Sequence, residues 1–389
     1  MELDALIDQV RTAAAQADEA GRAKLLRALR ALQPTLETEK DLHWRLGRCH
    51  LLITTVRLGQ DLDVFRSLVA ASAADTPLSS QQVASKSPFP NASPALVTRI
   101  LRHLAAMSLV AETGPDAFLA NKATHALATE KSEGTLHMFG DAIGRVAVTL
   151  PEYFAKRGYQ DIPSGTQLPF QLAYNSDKPW YQFVGDSPEM SKWLQSLMLV
   201  VGEDELWFKA FPFEDEIKGF RGDTVLVDVS GGFGQQCAAL IAGLPHLELK
   251  GRLVVQDLAS TVDLGVRHEG VEAQARDLFA EQKVKGARFY YLRNILHNWP
   301  DAECVEMMKR LAEALGDESQ ILIDEVVLPD QGAAPEATNM DLVMMGFMGS
   351  RERTAGEFER ILDQAGLKSL RTIVYAHGLR NAIIQVVKK

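Results

Sequence analysis

Three side chains in the second half of this sequence are of types that move protons: His297, Glu325 and Glu352. His297 stands in FYYLRNILHNWPD (residues 289–301), where an apolar strand pattern ends near Leu292 and a turn follows. A histidine there can serve as a general base near neutral pH, or it can be purely structural. Glu325 stands in ILIDEVVLPD (321–330), just past the end of another expected strand. Glu352 precedes Thr354, which reads as the N-cap of the helix in GSRERTAGEFERIL (349–362). In open α/β sheets, ligands bind beyond the carboxyl ends of the strands. The three groups, with Arg293 and Trp299, are therefore expected on one edge. A carboxylate against a histidine orients the ring and stabilises the imidazolium that forms. Each glutamate alone reads as solvated surface; the convergence is the signal.

A second constellation lies in TVLVDVSGGFGQQCAALIAGLPHLELKGRLVVQD (224–257). Val225, Leu226, Val227 and Val229 form an apolar, mostly β-branched run, the pattern of a buried parallel strand, with Asp228 near its end. Residues 230–234 turn sharply, and 235–242 read as helix. Gly231, Gly232 and Gly234 let backbone approach a ligand that a Cβ would block. A second strand, 253–256, ends in Asp257, where a carboxylate can accept from two ribose hydroxyls. SGGFG lacks the G-x-G-x-x-G spacing that seats a pyrophosphate. A nucleoside without phosphates, such as S-adenosylmethionine, fits better than a dinucleotide. A tight turn with no ligand is the plain alternative.

These groups need a sheet to hold them. From about residue 223, expected strands (287–292, 320–324) alternate with helices (302–315, 354–365), and 372–375 with 382–387 read as a terminal hairpin. That is an α/β sheet with helices on both faces. Ahead of it, residues 1–72 read as helices. Leu3, Leu6, Ile7 and Val10 share one face, Leu25, Leu26, Leu29 and Leu32 another, and Pro34 closes the second helix. Such an arm packs on a second subunit or on its own domain.

Residues 76–122 read as a winged helix-turn-helix. Ser79-Ser80 caps a short helix, and Ser93 with Pro94 starts a helix presenting Leu96, Ile100, Leu101 and Leu104 to a core. Arg99, Arg102 and His103 are few, and the net charge of −10 over 389 residues argues against a nucleic-acid partner. Residues 130–215 are helical and aromatic-rich. Trp193 and Met198 there, with Met344 and Phe347 later, are candidates to line an apolar substrate pocket, the alternative being plain core. The expected division is 1–125, helical arm and winged-helix dimerisation domain; 126–215, helical substrate-pocket segment; 216–389, cofactor-binding catalytic domain. Three widely spaced cysteines suggest reduced thiols in a cytoplasmic setting. No Cys/His cluster has zinc-ligand spacing. No run of about 18 apolar residues is present.

Four separated motifs occur in order: DVSGGFG, QDL at Asp257, ARDLF with LRNILHNWPD, and GSRERTAGEFERIL. From about residue 40 to the end, the chain resembles the fungal branch of the S-adenosylmethionine-dependent O-methyltransferases, the class that includes plant caffeate O-methyltransferases. The resemblance implies a Rossmann-like seven-stranded sheet and a dimer formed through the N-terminal region. It implies that Asp228, Gly231 and Gly234 shape the pocket for the methionine part of the cofactor. Asp257 would take the ribose with Leu258 beside it, Asp277 and Leu278 would flank the adenine, and Arg293 would be a basic cofactor contact. His297 would be the base, held by Glu325 and Glu352. The sulfonium methyl is already activated, so no metal is implied.

Two positions depart from the family pattern: Ser230 for glycine, and Asn298 for aspartate after the histidine. Some fungal proteins of this resemblance are pericyclases, which keep the cofactor without transferring its methyl and act on polyketide–peptide pyridones. In that reading His137, in EGTLHMFGDAIGRV, would polarise a substrate carbonyl. His137 as a core histidine or plain substrate contact is the simpler alternative.

Overall fold

The computed structural model describes residues 2–73, 75–163, 166–202, 206–264, 268–375 and 381–389. The chain divides into two compact units, Met1–Tyr153 with Ala173–Glu203, and Phe154–Leu172 with Asp204–Lys389. Segment 126–215 is thus shared between the two units instead of forming one of its own, and neither expected boundary coincides with this division.

The first unit is helical. Helices Glu2–Gln16, Glu19–Leu36 and Glu39–Asp61 lead it, the second capped by Asp18 and the third by a Thr38–Asp41 capping box. Pro34 does not close the second helix, which runs on to Leu36. An exposed last turn tolerates the hydrogen bond that the proline ring cannot donate. Ser79 and Ser93 cap helices Ser80–Lys86 and Pro94–Ala106. Strands Ala111–Gly114 and Ala117–Leu119 then pair antiparallel. The stripe facing the core is Val97, Ile100, Leu101 and Leu104, together with Val64, Phe65, Leu68 and Phe118. Leu96, expected inside, is 46% exposed. Residues 97, 100, 101 and 104 already complete the helical stripe, and 96 lies about 100° away. Helix Glu130–His137 packs against Pro188–Gly202 so closely that a Cβ on Gly134 would stand 2.3 Å from Ser196 Oγ.

The second unit carries the sheet. Its strands are β1 (Leu226–Val229), β2 (Leu253–Asp257), β3 (Val271–Ala275), β4 (Phe289–Arg293), β5 (Gln320–Leu328), β6 (Leu367–Val374) and β7 (Asn381–Lys388). They lie in the order β3-β2-β1-β4-β5-β7-β6. All neighbours are parallel except β7, which is antiparallel to both β5 and β6. The two-residue piece Arg353–Thr354 pairs with the last two residues of β5. Side chains alternate between faces as strand geometry requires. Val227, Tyr290, Leu292, Ile321 and Ile323 pack under helices Asp301–Ala312 and Ala355–Gln364. Leu226, Phe289, Tyr291 and Leu322 face Trp207, Phe208, Phe211 and Phe213. Those four aromatics are core. No described helix is long and apolar enough to cross a membrane.

Candidate active site

The turn after β1 is built to let two acidic groups approach backbone. Ser230, Gly232 and Gly234 all have positive φ, at 55°, 58° and 79°. A Cβ on Gly231 would fall 2.3 Å from Asp228 Cγ, so only glycine fits there. Ser230 therefore departs from the family pattern at a left-handed position, at a backbone cost of about 1–2 kcal/mol. Asp257 ends β2 and holds the turn across the gap. Its Oδ2 accepts from Gly232 N at 2.9 Å and its Oδ1 from Leu258 N at 2.8 Å. Leu258 is 54% exposed beside it.

Past β3, Asp277 Oδ1 accepts from Phe279 N at 2.8 Å, and Leu278 packs against the core of one sheet face. Sequence reasoning missed what ties this loop down. The buried amides of Gln256 and Gln282 exchange two hydrogen bonds, of 3.0 and 2.7 Å.

Arg293, the last residue of β4, meets Asp324 Oδ2 at 3.4 Å and Gln236 Oε1 at 3.5 Å. Asp324 also accepts from Tyr291 and Tyr375 hydroxyls, at 2.5 and 2.7 Å. Burial disfavours the Arg293 charge, but Tyr291 and Asp324 hold its pKa above the ordinary guanidinium value. Burial pushes Asp228 up to about 7, with Arg293 pulling the other way.

After β4, the positive φ of Asn294 (54°) starts a 3₁₀ turn, Leu296–Asn298, that carries His297. His297 is buried, at 9% exposure. Its Nδ1 lies 2.9 Å from Glu352 Oε1 and 3.9 Å from Glu325 Oε2. Glu325 sits within β5, not past its end, because β5 runs on to Leu328. From there its Oε1 accepts from Ile295 N and Leu296 N, at 2.8 and 2.7 Å. Glu325 thus grips the backbone of the turn while Glu352 grips the ring. Burial lowers the pKa of His297, but the Glu325 charge and the Glu352 hydrogen bond outweigh it and raise the ring above the usual imidazole range. Burial raises Glu325 to about 7, against the pull of His297 and with the push of Glu352. Asn298 turns away to donate to Asn294 O at 2.9 Å. Residues 297, 325 and 352 each bring one donor atom to within 4.8 Å of the other two, the convergence expected from their places in the sequence.

Arg353 also escaped sequence reasoning, since RER reads as a solvated charge run. It is 1% exposed. Its guanidinium donates to Leu296 O at 2.8 Å, to Trp299 O at 2.6 Å and to Asp301 Oδ1 at 2.8 Å. It clamps the carbonyls on both sides of His297. Lysine keeps the charge but not the planar fork. Arg353→Lys is expected to lower kcat by about 10–100-fold through misplacement of His297, with cofactor affinity within a factor of about two by calorimetry. Wild-type turnover in a folded variant would remove the clamp from the mechanism.

The four substrate-lining candidates are distributed over both units. Phe347 and Met344 lie on helix Pro335–Met348 of the second unit, where Phe347 is buried and stacks on Phe170 at 6.0 Å. Met344 is half-buried. Trp193 and Met198 lie on helix Pro188–Gly202 of the first unit. Trp193 stacks on His137 with ring centroids 4.5 Å apart and planes 9° off parallel. His137 Nδ1 lies 2.6 Å from Asp141 Oδ2, which also accepts from Arg57 Nε at 3.1 Å. His137 ends its helix where a π-helical stretch, Met138–Ile143, begins.

The O-methyltransferase domain family model matches residues 165–368. This chain belongs to that family. The chain is 34% identical to demethylsterigmatocystin 6-O-methyltransferase of Aspergillus parasiticus, over 100% of this chain and 99% of the relative. Two solved structures, each 28% identical with a TM-score of 0.88, cover 100% of this chain and 99% of their own. One is described as a pericyclic reaction enzyme, the other as LepI in complex with SAM. The enzyme is an S-adenosylmethionine-dependent methyltransferase with a small-molecule substrate.

The residues fit that cofactor. Each Asp257 oxygen accepts one backbone N–H and has capacity for a second bond, as a ribose diol requires. Asp228 has no ion-pair partner among the described residues, which suits a ligand bearing an ammonium and a sulfonium.

Proposed function

We propose that the enzyme methylates a hydroxyl of an aromatic or polyketide-type secondary metabolite, with His297 as general base. The carrying observation is the 2.9 Å contact of His297 Nδ1 with Glu352 Oε1. A carboxylate there holds a proton on Nδ1 and leaves the Nε2 lone pair for the acceptor hydroxyl. Nε2 makes no hydrogen bond among the described residues. When bound, S-adenosylmethionine supplies an activated sulfonium methyl. His297 Nε2 takes the hydroxyl proton as the oxygen attacks, and Glu352 with Glu325 stabilises the resulting imidazolium. Positioning can supply about 7–11 kcal/mol and base assistance about 10²–10⁴-fold. In the same reading Asp228, Gly231, Gly232 and Gly234 shape the methionine pocket. Asp257 and Leu258 hold the ribose, Asp277 and Leu278 flank the adenine, and Arg293 is a basic contact.

The N-terminal helices support a homodimer built through the winged-helix domain. Leu3, Leu6, Leu29, Leu32 and Leu36 stand exposed on two successive helices, an apolar display that a partner surface would cover. Free thiols at Cys49, Cys237 and Cys304 support a cytoplasmic location.

A second reading has its own observation. His137, stacked on Trp193 and oriented by Asp141, is set up as an acid that polarises a carbonyl, the chemistry of a pericyclase that keeps its cofactor intact. One experiment separates the two. The metabolite that accumulates on deletion of the gene is incubated with protein and S-adenosylmethionine, and the product is weighed. A gain of one methylene, with S-adenosylhomocysteine released, supports methyl transfer. An isomer or a dehydrated product that His137→Ala abolishes supports the second reading and overturns the first.

A further inference from the structure

We infer that His297, Glu325 and Glu352 form a site for a divalent transition-metal cation, and that Zn²⁺ bound there switches the base off. The binding stands on geometry; its effect on catalysis rests on the reading of His297 as the base. One donor atom of each residue lies within 4.8 Å of the other two. Zinc–nitrogen and zinc–oxygen bonds of about 2.0–2.2 Å in a tetrahedron put ligand atoms roughly 3.3 Å apart. The observed separations from Nδ1, 2.9 and 3.9 Å, bracket that value.

Two further observations point to a cation. Glu325 and Glu352 are 0% and 3% exposed, and the buried Oε2 of each has no hydrogen-bond partner among the described residues. Such lone pairs are costly to leave unmet. Glu325 Oε1 is occupied by Ile295 N and Leu296 N, so its carboxylate is fixed with Oε2 on the His297 side. Charge runs the same way. Once both buried carboxylates are ionised, one imidazolium cannot neutralise them, and the Arg353 guanidinium is already engaged by Asp301 and two carbonyls. A dication balances the pair.

One imidazole with two carboxylates suits Zn²⁺ or Co²⁺. Mg²⁺ dehydrates reluctantly and prefers an all-oxygen octahedron. The cation takes the Nδ1 lone pair, and the single ring proton of the neutral imidazole moves by exchange with solvent from Nδ1 to Nε2. Nε2 can then no longer accept the hydroxyl proton.

Chelator-treated, buffer-exchanged full-length protein is titrated with CoCl₂ and followed by the visible d–d absorption of bound Co²⁺. A stoichiometric band, displaced by Zn²⁺, is expected. His297→Ala and Glu352→Gln should each lose it with unchanged circular dichroism, while Cys49→Ser keeps it. Stoichiometric Zn²⁺ should slow turnover by about 10²-fold, the lower end of general-base assistance, and chelator should restore it. No band, or a band that survives in His297→Ala, overturns the site, and His297→Ala decides alone if Glu352→Gln does not fold. Wild-type turnover in metal-free His297→Ala would instead overturn the base, and the presence or absence of the cobalt band would still decide the metal site.

Discussion

His297→Ala is expected to lower kcat by about 10²–10⁴-fold while S-adenosylhomocysteine binds with nearly unchanged affinity. The split follows from where the ring is held. His297 is anchored by Glu352 through Nδ1 and by a turn whose backbone Glu325 and Arg353 grip. The groups assigned to the cofactor, Asp228 and Asp257, sit on β1 and β2 and have their own partners. Removing the imidazole should therefore leave the cofactor end intact and strip only the group assigned as proton acceptor. The measurement pairs single-turnover methyl transfer with calorimetric titration of S-adenosylhomocysteine. Retained methyl transfer would remove His297 as base. A large loss of affinity would mean that the two ends are not independent.

Asp257→Ala should act the opposite way. Charged hydrogen bonds of this kind contribute about 1.5–3 kcal/mol each. Losing both to a ribose diol would weaken cofactor binding by about 10²-fold or more. The substitution also frees Gly232 N and Leu258 N, so the turn that Asp257 ties to β2 loosens. Asp257→Asn, which keeps one acceptor oxygen, should fall between the two. Calorimetry on all three proteins at one salt concentration reads the series. Equal affinities would withdraw the ribose assignment, and equal losses in Asn and Ala would assign the effect to charge.

Much of the frame is legible because its causes are local. The β-branched run of β1 and the alternating faces of β4 follow from side chains a few residues apart. Ser93 and Thr354 cap their helices as their positions indicate, Thr354 in a capping box with Glu357. The glycines after β1 answer to a turn that they themselves make. The reading fails where the local signal is weak or is overridden. β3 (VEAQA) is a partly exposed edge strand whose apolar positions are one valine and two small alanines, so its alternation is too short and weakly hydrophobic to mark it as a strand. Leu96 reads as core, but the helix settles on Val97 instead. Pro34 stands in an exposed last turn that tolerates the lost bond.

By itself, then, the sequence determined the α/β sheet, the order of its motifs, and the residue types at the carboxyl ends of β1, β2 and β4. Periodicity and turn chemistry act over a few residues, and those suffice to place such groups. Only the tertiary structure decided that Glu325 lies inside β5 and holds a backbone turn. It also decided that Arg353 leaves a charge run to clamp that turn, and that Trp193 lies flat on His137. Each of these joins segments some 29 to 57 residues apart. Such contacts are set by the packing of whole elements, and nothing within a short window of the chain encodes them.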